Sequence, residues 1–202
     1  MERARGGHGI SALLSNPTIV RLQAQLCDRT PVEVSEEGVR RAAVALIFRA
    51  GEEDRPELLF IKRAEYPGDP WSGQVAFPGG REESIDASLV ETAIRETREE
   101  TGIDLARDGK VIGALDDLYP RSVRLPRISV RPFVFVIDGD AALTLSSEVA
   151  LAFWIPFGSL AHTDAWREDT VFARGIQINA RVFRHQDHVI WGMTERILAQ
   201  LL

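Results

Sequence analysis

Two apolar stretches, residues 42–48 (AAVALIF) and 58–61 (LLFI), stand on either side of the charged segment 51–56 (GEEDRP). Short apolar runs broken by Gly and Pro predict two paired strands across a loop, and their near-continuous apolarity predicts burial on both faces. A break at 66–70 (YPGDP), a brief strand at 75–77 (VAF) and a turn at 78–80 (PGG) follow. From about 86 to 101 the residues Leu89, Val90, Ala93 and Ile94 make a helical stripe, with Glu91, Arg95, Glu96, Arg98 and Glu99 pointing elsewhere and Gly102 supplying the stop. Further strands are predicted near 111–115, 128–137, 152–155 and 176–184, with a closing amphipathic helix over 193–202. Ahead of the first strand, 17–27 offers Ile19, Leu22 and Leu26 at helical spacing, so residues 1–38 read as an N-terminal helical extension and 39–202 as the main domain.

Strands outnumber helices and are joined by short turns as well as one helical crossover. That pattern predicts an α/β protein in which a mixed sheet lies between helices, an α/β/α sandwich. A length of 202 residues with 45% hydrophobic content suits one domain with a sizeable core. There is no internal repeat and no low-complexity tract.

A net charge of -6 gives no bulk attraction to nucleic acid or to an anionic membrane, and neither is expected as a partner. Phosphate ligands therefore need help from cations. Cys27 is the sole cysteine, which excludes an intramolecular disulfide. The start MERARGGHGISALLSNP lacks the apolar centre of a secretory signal, and no window approaches the roughly 18 consecutive apolar residues of a membrane span. A cytoplasmic location is the expectation, and a homodimer stays open.

The stretch 95–102 (RETREETG) crowds Glu96, Glu99 and Glu100 into the last turns of the predicted helix. Carboxylates there face the negative end of the helix dipole and repel one another at three- and four-residue spacing. Glu96 and Glu100 lie one turn apart with Glu99 beside them, so their oxygens can converge on one hard divalent cation. The alternative is a solvated acidic face neutralised by Arg95 and Arg98.

Context separates the two. The helix is approached through Phe77-Pro78-Gly79-Gly80 and left through Gly102-Ile103, and the whole resembles the Nudix box of the Nudix hydrolases: Gly80, five residues, Asp86, then Arg95-Glu96-Thr97-Arg98-Glu99-Glu100-Thr101-Gly102-Ile103. Asp86 stands where the family pattern has Glu, the spacer from Asp86 to Arg95 is eight residues instead of seven, and Thr97 replaces an aliphatic residue. The longer spacer, the Phe-Pro-Gly-Gly stretch and Ile190-Trp191-Gly192-Met193-Thr194 resemble the coenzyme A pyrophosphatase branch. That branch carries an Arg and a His where this chain reads Pro67-Gly68-Asp69-Pro70-Trp71.

The resemblance implies a Nudix fold and hydrolysis of a small-molecule nucleoside diphosphate substrate with Mg²⁺ or Mn²⁺. Coenzyme A or a derivative, cut to 3′,5′-ADP and 4′-phosphopantetheine, is the leading substrate; a nucleotide sugar, a dinucleotide or a non-catalytic ligand-binding Nudix domain are the alternatives. Glu96 and Glu100 are then the metal ligands. Glu99 is the catalytic base or a further ligand, and Arg95 orients a nearby carboxylate. Arg63 at the end of the second strand, Trp71 and the turn glycine Gly80 are the substrate-binding candidates, with Lys62 pointing away from Arg63. Tyr66 and Phe77 flank the same turn, and core filling is the alternative for each aromatic. Glu148 is either a turn acid or a carboxylate reaching the site from a loop, and Asp116 and Asp117 are weighed in the same way. His185 and His188 have metal-pair spacing without a matching partner at helical spacing, and read as solvated.

Overall fold

The structure, a computed structural model, describes residues 10–120, 125–139, 141–173 and 175–202. The first nine residues of the extension lie outside that set. The helices are α1 (Ile10–Leu14), α2 (Pro17–Cys27), α3 (Leu89–Thr101), α4 (Leu105–Asp108), α5 (Phe157–Ala161) and α6 (Gly192–Leu198). The strands are β1 (Arg40–Ala50), β2 (Pro56–Arg63), β3 (Val75–Ala76), β4 (Gly79–Arg81), β5 (Gly109–Ala114), β6 (Ile128–Ile137), β7 (Val149–Pro156), β8 (Trp166–Ala173), β9 (Ile176–His185) and β10 (His188–Ile190).

The main sheet runs β3-β2-β1-β6-β5, with β7 added to β2 and β4 to β1. Strands β1 and β6 are parallel, from Arg40 opposite Ile128 to Phe48 opposite Val136, and the other pairs are antiparallel, so the sheet is mixed. Side chains alternate across it. Ala43, Ala45 and Ile47 of β1 join Leu59, Phe135, Leu89 and Ala93 on the α3 face, while Leu46 and Phe48 join Leu58, Phe60 and Val134 on the other. Helices cover both faces, which is why the run 42–48 is apolar throughout and why the expected α/β/α sandwich forms.

Helix α2 has the bounds its spacing predicts, begins on an Asn16 cap, and buries Ile19, Leu22 and Leu26 in the same cluster as Phe48 and Leu115. A Cβ on Gly113 would overlap Leu26, so that glycine lets the helix lie directly on β5. The segment behind it is strapped to the domain, with the Val32 and Val34 amides donating to the Asp116 and Asp117 carboxylates. Asp116 also pairs with Arg29, and Asp117 with the buried Arg131. These two acids therefore serve the fold.

Helix α3 starts three residues later than its apolar stripe suggests, because the extended Ser88 caps it by accepting from the Glu91 amide. Asp86 is thereby freed to bind side chains. Gly102, at φ 77°, ends the helix in the left-handed conformation that glycine adopts without strain. The last helix is also shorter than the expected 193–202: α6 stops at Leu198 and the chain continues in turns that bury Leu201. Strands β8, β9 and β10 form a separate antiparallel sheet that the hydrophobic pattern does not reveal as a unit. Among the described residues no helix is long and apolar enough to cross a membrane.

Candidate active site

A cavity of about 820 Å³ opens where the end of β2, the glycine turn, the C-terminal half of α3, the turn before β7 and helix α6 meet. Arg63, Trp71, Gly80, Glu96, Glu99 and Glu100 all line it, so residues up to 37 positions apart in sequence converge there.

The acidic wall is built by α3 and β4. Glu100 is 4% exposed, and its Oε2 accepts from the Gly79 amide at 2.9 Å. Burial pushes its carboxyl up to about 7 against the opposing effects of that hydrogen bond and of Arg63, with Glu96 and Glu148 adding repulsion. Burial likewise raises Glu96, although Arg95 works against it. Gly79, at φ 149°, leaves no room for a side chain against the Ala43 carbonyl, and a Cβ on Gly80 would overlap the Glu96 carboxylate. The two glycines therefore bring a backbone amide and open space to the two carboxylates. Any larger residue would displace one or the other.

Arg95 organises what surrounds them. Its Nε and one amino group donate to Asp86 at 2.9 and 3.0 Å, the same amino group donates to the Arg81 carbonyl, and Nη1 lies 3.1 Å from Glu96 Oε1 and 3.2 Å from Glu99 Oε2. The Arg95 guanidinium holds Asp86 far below the usual carboxylate range. Asp86 thus stands at the box position of a glutamate and serves as the anchor of Arg95. Glu99 is exposed at the cavity edge.

The opposite wall comes from farther apart. Arg63 donates through Nε and Nη2 to Asp69, and its Nη1 lies 4.0 Å from Glu100 Oε1. Lys62 points away into a neighbouring cavity. Trp71 and Met193 pack against Ala42, Ile128 and Val130, giving the cavity an apolar floor. Phe77, 3% exposed, belongs to the core and packs against Phe60 with the rings tilted by 32°, whereas Tyr66 is exposed at the rim and donates weakly to the Ser147 carbonyl. The Ala64 amide donates to the Glu148 carbonyl, tying the turn before β7 to the end of β2, and Glu148 lines the cavity. His185 and His188 lie opposite each other on β9 and β10 and stack on Phe153, which corrects their reading as solvated. Asp69, Met193 and Thr194 were not among the expected site residues, although Met193 and Thr194 belong to the stretch that carries the branch resemblance, and all three reach the cavity through tertiary folding.

The donor set suits a hard divalent cation. Its groups are carboxylate oxygens, the charged forms of Glu96 and Glu100 are both disfavoured without one, and the glycine turn keeps the space beside them clear. Among the described residues no three His, Cys, Asp or Glu side chains form a closed cage. Mg²⁺ does not require one, since it is held by one or two carboxylates and takes its other ligands from water and substrate phosphates.

The NUDIX domain family model matches residues 39–175, more than half of the chain. The chain belongs to the Nudix family. A protein of Enterobacter sp. (strain 638) described as an uncharacterized Nudix hydrolase, NudL, is 31% identical over 170 residues, covering 84% of this chain and 85% of its own length. Two solved structures share the fold: a C. elegans Ap4A hydrolase (TM-score 0.51, 22% identity, 60% of this chain and 83% of that one) and a MutT/nudix family protein from Enterococcus faecalis (TM-score 0.50, 16% identity, 90% and 61%). This Nudix hydrolase acts on phosphoanhydride bonds, with nucleoside diphosphate-linked compounds as its substrate class and divalent cations as the family's general cofactor. Helix α6, which supplies Met193 and Thr194 to the cavity, lies outside the matched span.

Proposed function

We propose that this Nudix hydrolase is an Mg²⁺- or Mn²⁺-dependent diphosphatase that cleaves coenzyme A or a derivative to 3′,5′-ADP and 4′-phosphopantetheine. The observation that carries the reading is the convergence of Glu96, Glu100, the glycine turn and Arg63 on one cavity with an apolar floor. Glu96 and Glu100 hold the cation, which when bound neutralises phosphoryl charge and acidifies a water. Glu99, at the cavity edge within reach of Arg95, accepts the proton of the attacking water. Arg95 keeps Glu96 and Glu99 oriented, Arg63 binds a phosphate oxygen, and Gly80 leaves the space the diphosphate needs beside Glu96. Trp71 stacks on the adenine over the floor made by Ala42, Ile128 and Val130.

Support for coenzyme A comes from the Phe77-Pro78-Gly79-Gly80 stretch, the eight-residue spacer and the Trp191-Gly192-Met193-Thr194 segment, whose Met193 lines the cavity. The stretch Pro67-Gly68-Asp69-Pro70-Trp71-Ser72-Gly73, which lacks the Arg and His that branch carries there, favours a second reading in which another nucleoside diphosphate derivative is cleaved. A panel of coenzyme A, nucleotide sugars and dinucleotides with Mg²⁺ or Mn²⁺, with products identified by chromatography, decides between them. Release of 3′,5′-ADP from coenzyme A is the expected result; intact coenzyme A beside turnover of another diphosphate rejects the substrate.

A further inference from the structure

The guanidinium of Arg63 lies between two carboxylates and is bonded to only one of them. Asp69 Oδ2 accepts from Nε at 3.3 Å and from Nη2 at 2.9 Å, while Glu100 Oε1 is 4.0 Å from Nη1. A flexible cation that close to a buried carboxylate, in a cavity where charges are poorly screened, closes into a bidentate pair unless something holds it back. Such a pair would take Glu100 out of cation binding and Arg63 out of phosphate binding together. Asp69 is well placed to prevent it. The loop carrying it turns back onto β2 through Gly68 and Gly73, at φ 87° and 69°, and its other oxygen is fixed by the Trp71 amide at 3.0 Å. Against burial, which raises it, that amide together with Arg63 and the field of Arg81 holds the Asp69 carboxyl below its ordinary value.

We propose that Asp69 is a positioning residue that holds Arg63 beside Glu100 but off it, so that one guanidinium edge faces the phosphates and Glu100 stays open to the divalent cation. The inference rests on the diphosphatase reading above. Asp69 acts through Arg63 and touches neither cation nor reacting atoms. Its carboxylate takes two of the five guanidinium N–H groups, leaving Nη1 and one Nη2 hydrogen for a phosphate oxygen.

The test uses the full chain and Asp69→Asn, which keeps an oxygen for the Trp71 amide but loses the charge that restrains Arg63. Mn²⁺ alone is titrated calorimetrically, and KM and kcat are measured on the diphosphate that the panel identifies. Asp69→Asn weakens Mn²⁺ binding by about tenfold, at the lower end of the effect of losing a group that orients a metal ligand. KM rises by a similar factor and kcat moves less. Arg63→Ala raises KM but leaves Mn²⁺ affinity at or above wild type, because nothing then competes for Glu100. In the double variant Mn²⁺ affinity returns to the Arg63→Ala value, a non-additivity that a merely structural role for Asp69 does not produce. Unchanged Mn²⁺ affinity in Asp69→Asn, or a loss that persists in the double variant, overturns the inference while the diphosphatase reading stands. A wild-type protein that neither binds Mn²⁺ nor cleaves any diphosphate overturns both.

Discussion

Arg95 and Arg63 both line one cleft, and their surroundings differ. Arg95 is 13% exposed and is engaged by Asp86, Glu96, Glu99 and the Arg81 carbonyl, all within residues 81–99. Arg63 is 27% exposed, is held by Asp69, and belongs to a wall assembled from residues as distant as Glu148 and Met193. The first wall is a helix face and a glycine turn whose groups are fixed by one another and by helical spacing. The second is a loop and a helix end that meet through folding. A wall with redundant ties keeps a reaction geometry through sequence change, whereas one that depends on single contacts can change its ligand without disturbing the chemistry. On the reading proposed above, the acidic wall serves the phosphoanhydride reaction, and the Arg63–Trp71 wall serves the choice of substrate.

The sharpest way to break that division is to remove charge from the acidic wall. Glu96→Gln and Glu100→Gln preserve side-chain size, and a glutamine at position 100 can still accept from the Gly79 amide. Each is expected to lower kcat by several orders of magnitude, with KM changing far less and circular dichroism unchanged. Near-normal turnover in either variant would mean that the acidic wall does not hold the reacting centre.

This wall was also the readable one. Gly80, Asp86, Arg95, Glu96, Glu99 and Glu100 interact at spacings set by one turn and one helix, so their one-dimensional pattern carries the geometry. Helix α2 was equally legible, since Ile19, Leu22 and Leu26 bury on one face at helical spacing. Strand β8 was not. Its run WREDTVFA buries Trp166 and Val171 and leaves charged residues between them, because it packs in a small sheet with much of its length exposed. Asp69 was missed because its partner Arg63 is met through a loop, and the stretch holding Met193 was noticed but not its place in the cavity, because it arrives from the far end of the chain. Glu148 lay between these cases: its residue type was informative, but only tertiary ties, the Ala64 amide to its own carbonyl and the Ser146 amide to the Glu100 carbonyl among them, bring it to the cleft.

The other wall is probed by Trp71→Ala. Stacking of a base on an aromatic side chain is worth roughly 1–3 kcal/mol, so KM for coenzyme A should rise about tenfold while kcat stays near wild type. A diphosphate without a nucleobase should be affected little. If Trp71→Ala instead lowers kcat equally for every substrate, the two walls are not separable and Trp71 shapes the reacting centre.

The smallest effect concerns the acidic wall without substrate or cation. Burial raises the Glu100 carboxyl from 4.5 to about 7, so the folded protein holds its proton over a pH range in which the unfolded chain has released it. Folding is therefore penalised progressively as pH rises from about 4.5 to about 7, and the full penalty applies above that window. Glu100→Gln has no such titration. With a chelator present, its melting temperature should equal or slightly exceed that of wild type at pH 8, and the difference should shrink as pH falls through the window. Addition of Mg²⁺ reverses the order, since a ligand of the native state stabilises it by about 2.7 kcal/mol at a hundred times its dissociation constant, roughly 5 to 10 °C for a chain of this size. Wild type should gain that rise and Glu100→Gln much less of it. Calorimetry across pH, with chelator and with Mg²⁺, measures both arms. Equal gains from Mg²⁺ in the two proteins would place the cation elsewhere, and a pH-independent difference with chelator would show that Glu100 is not strained by its burial.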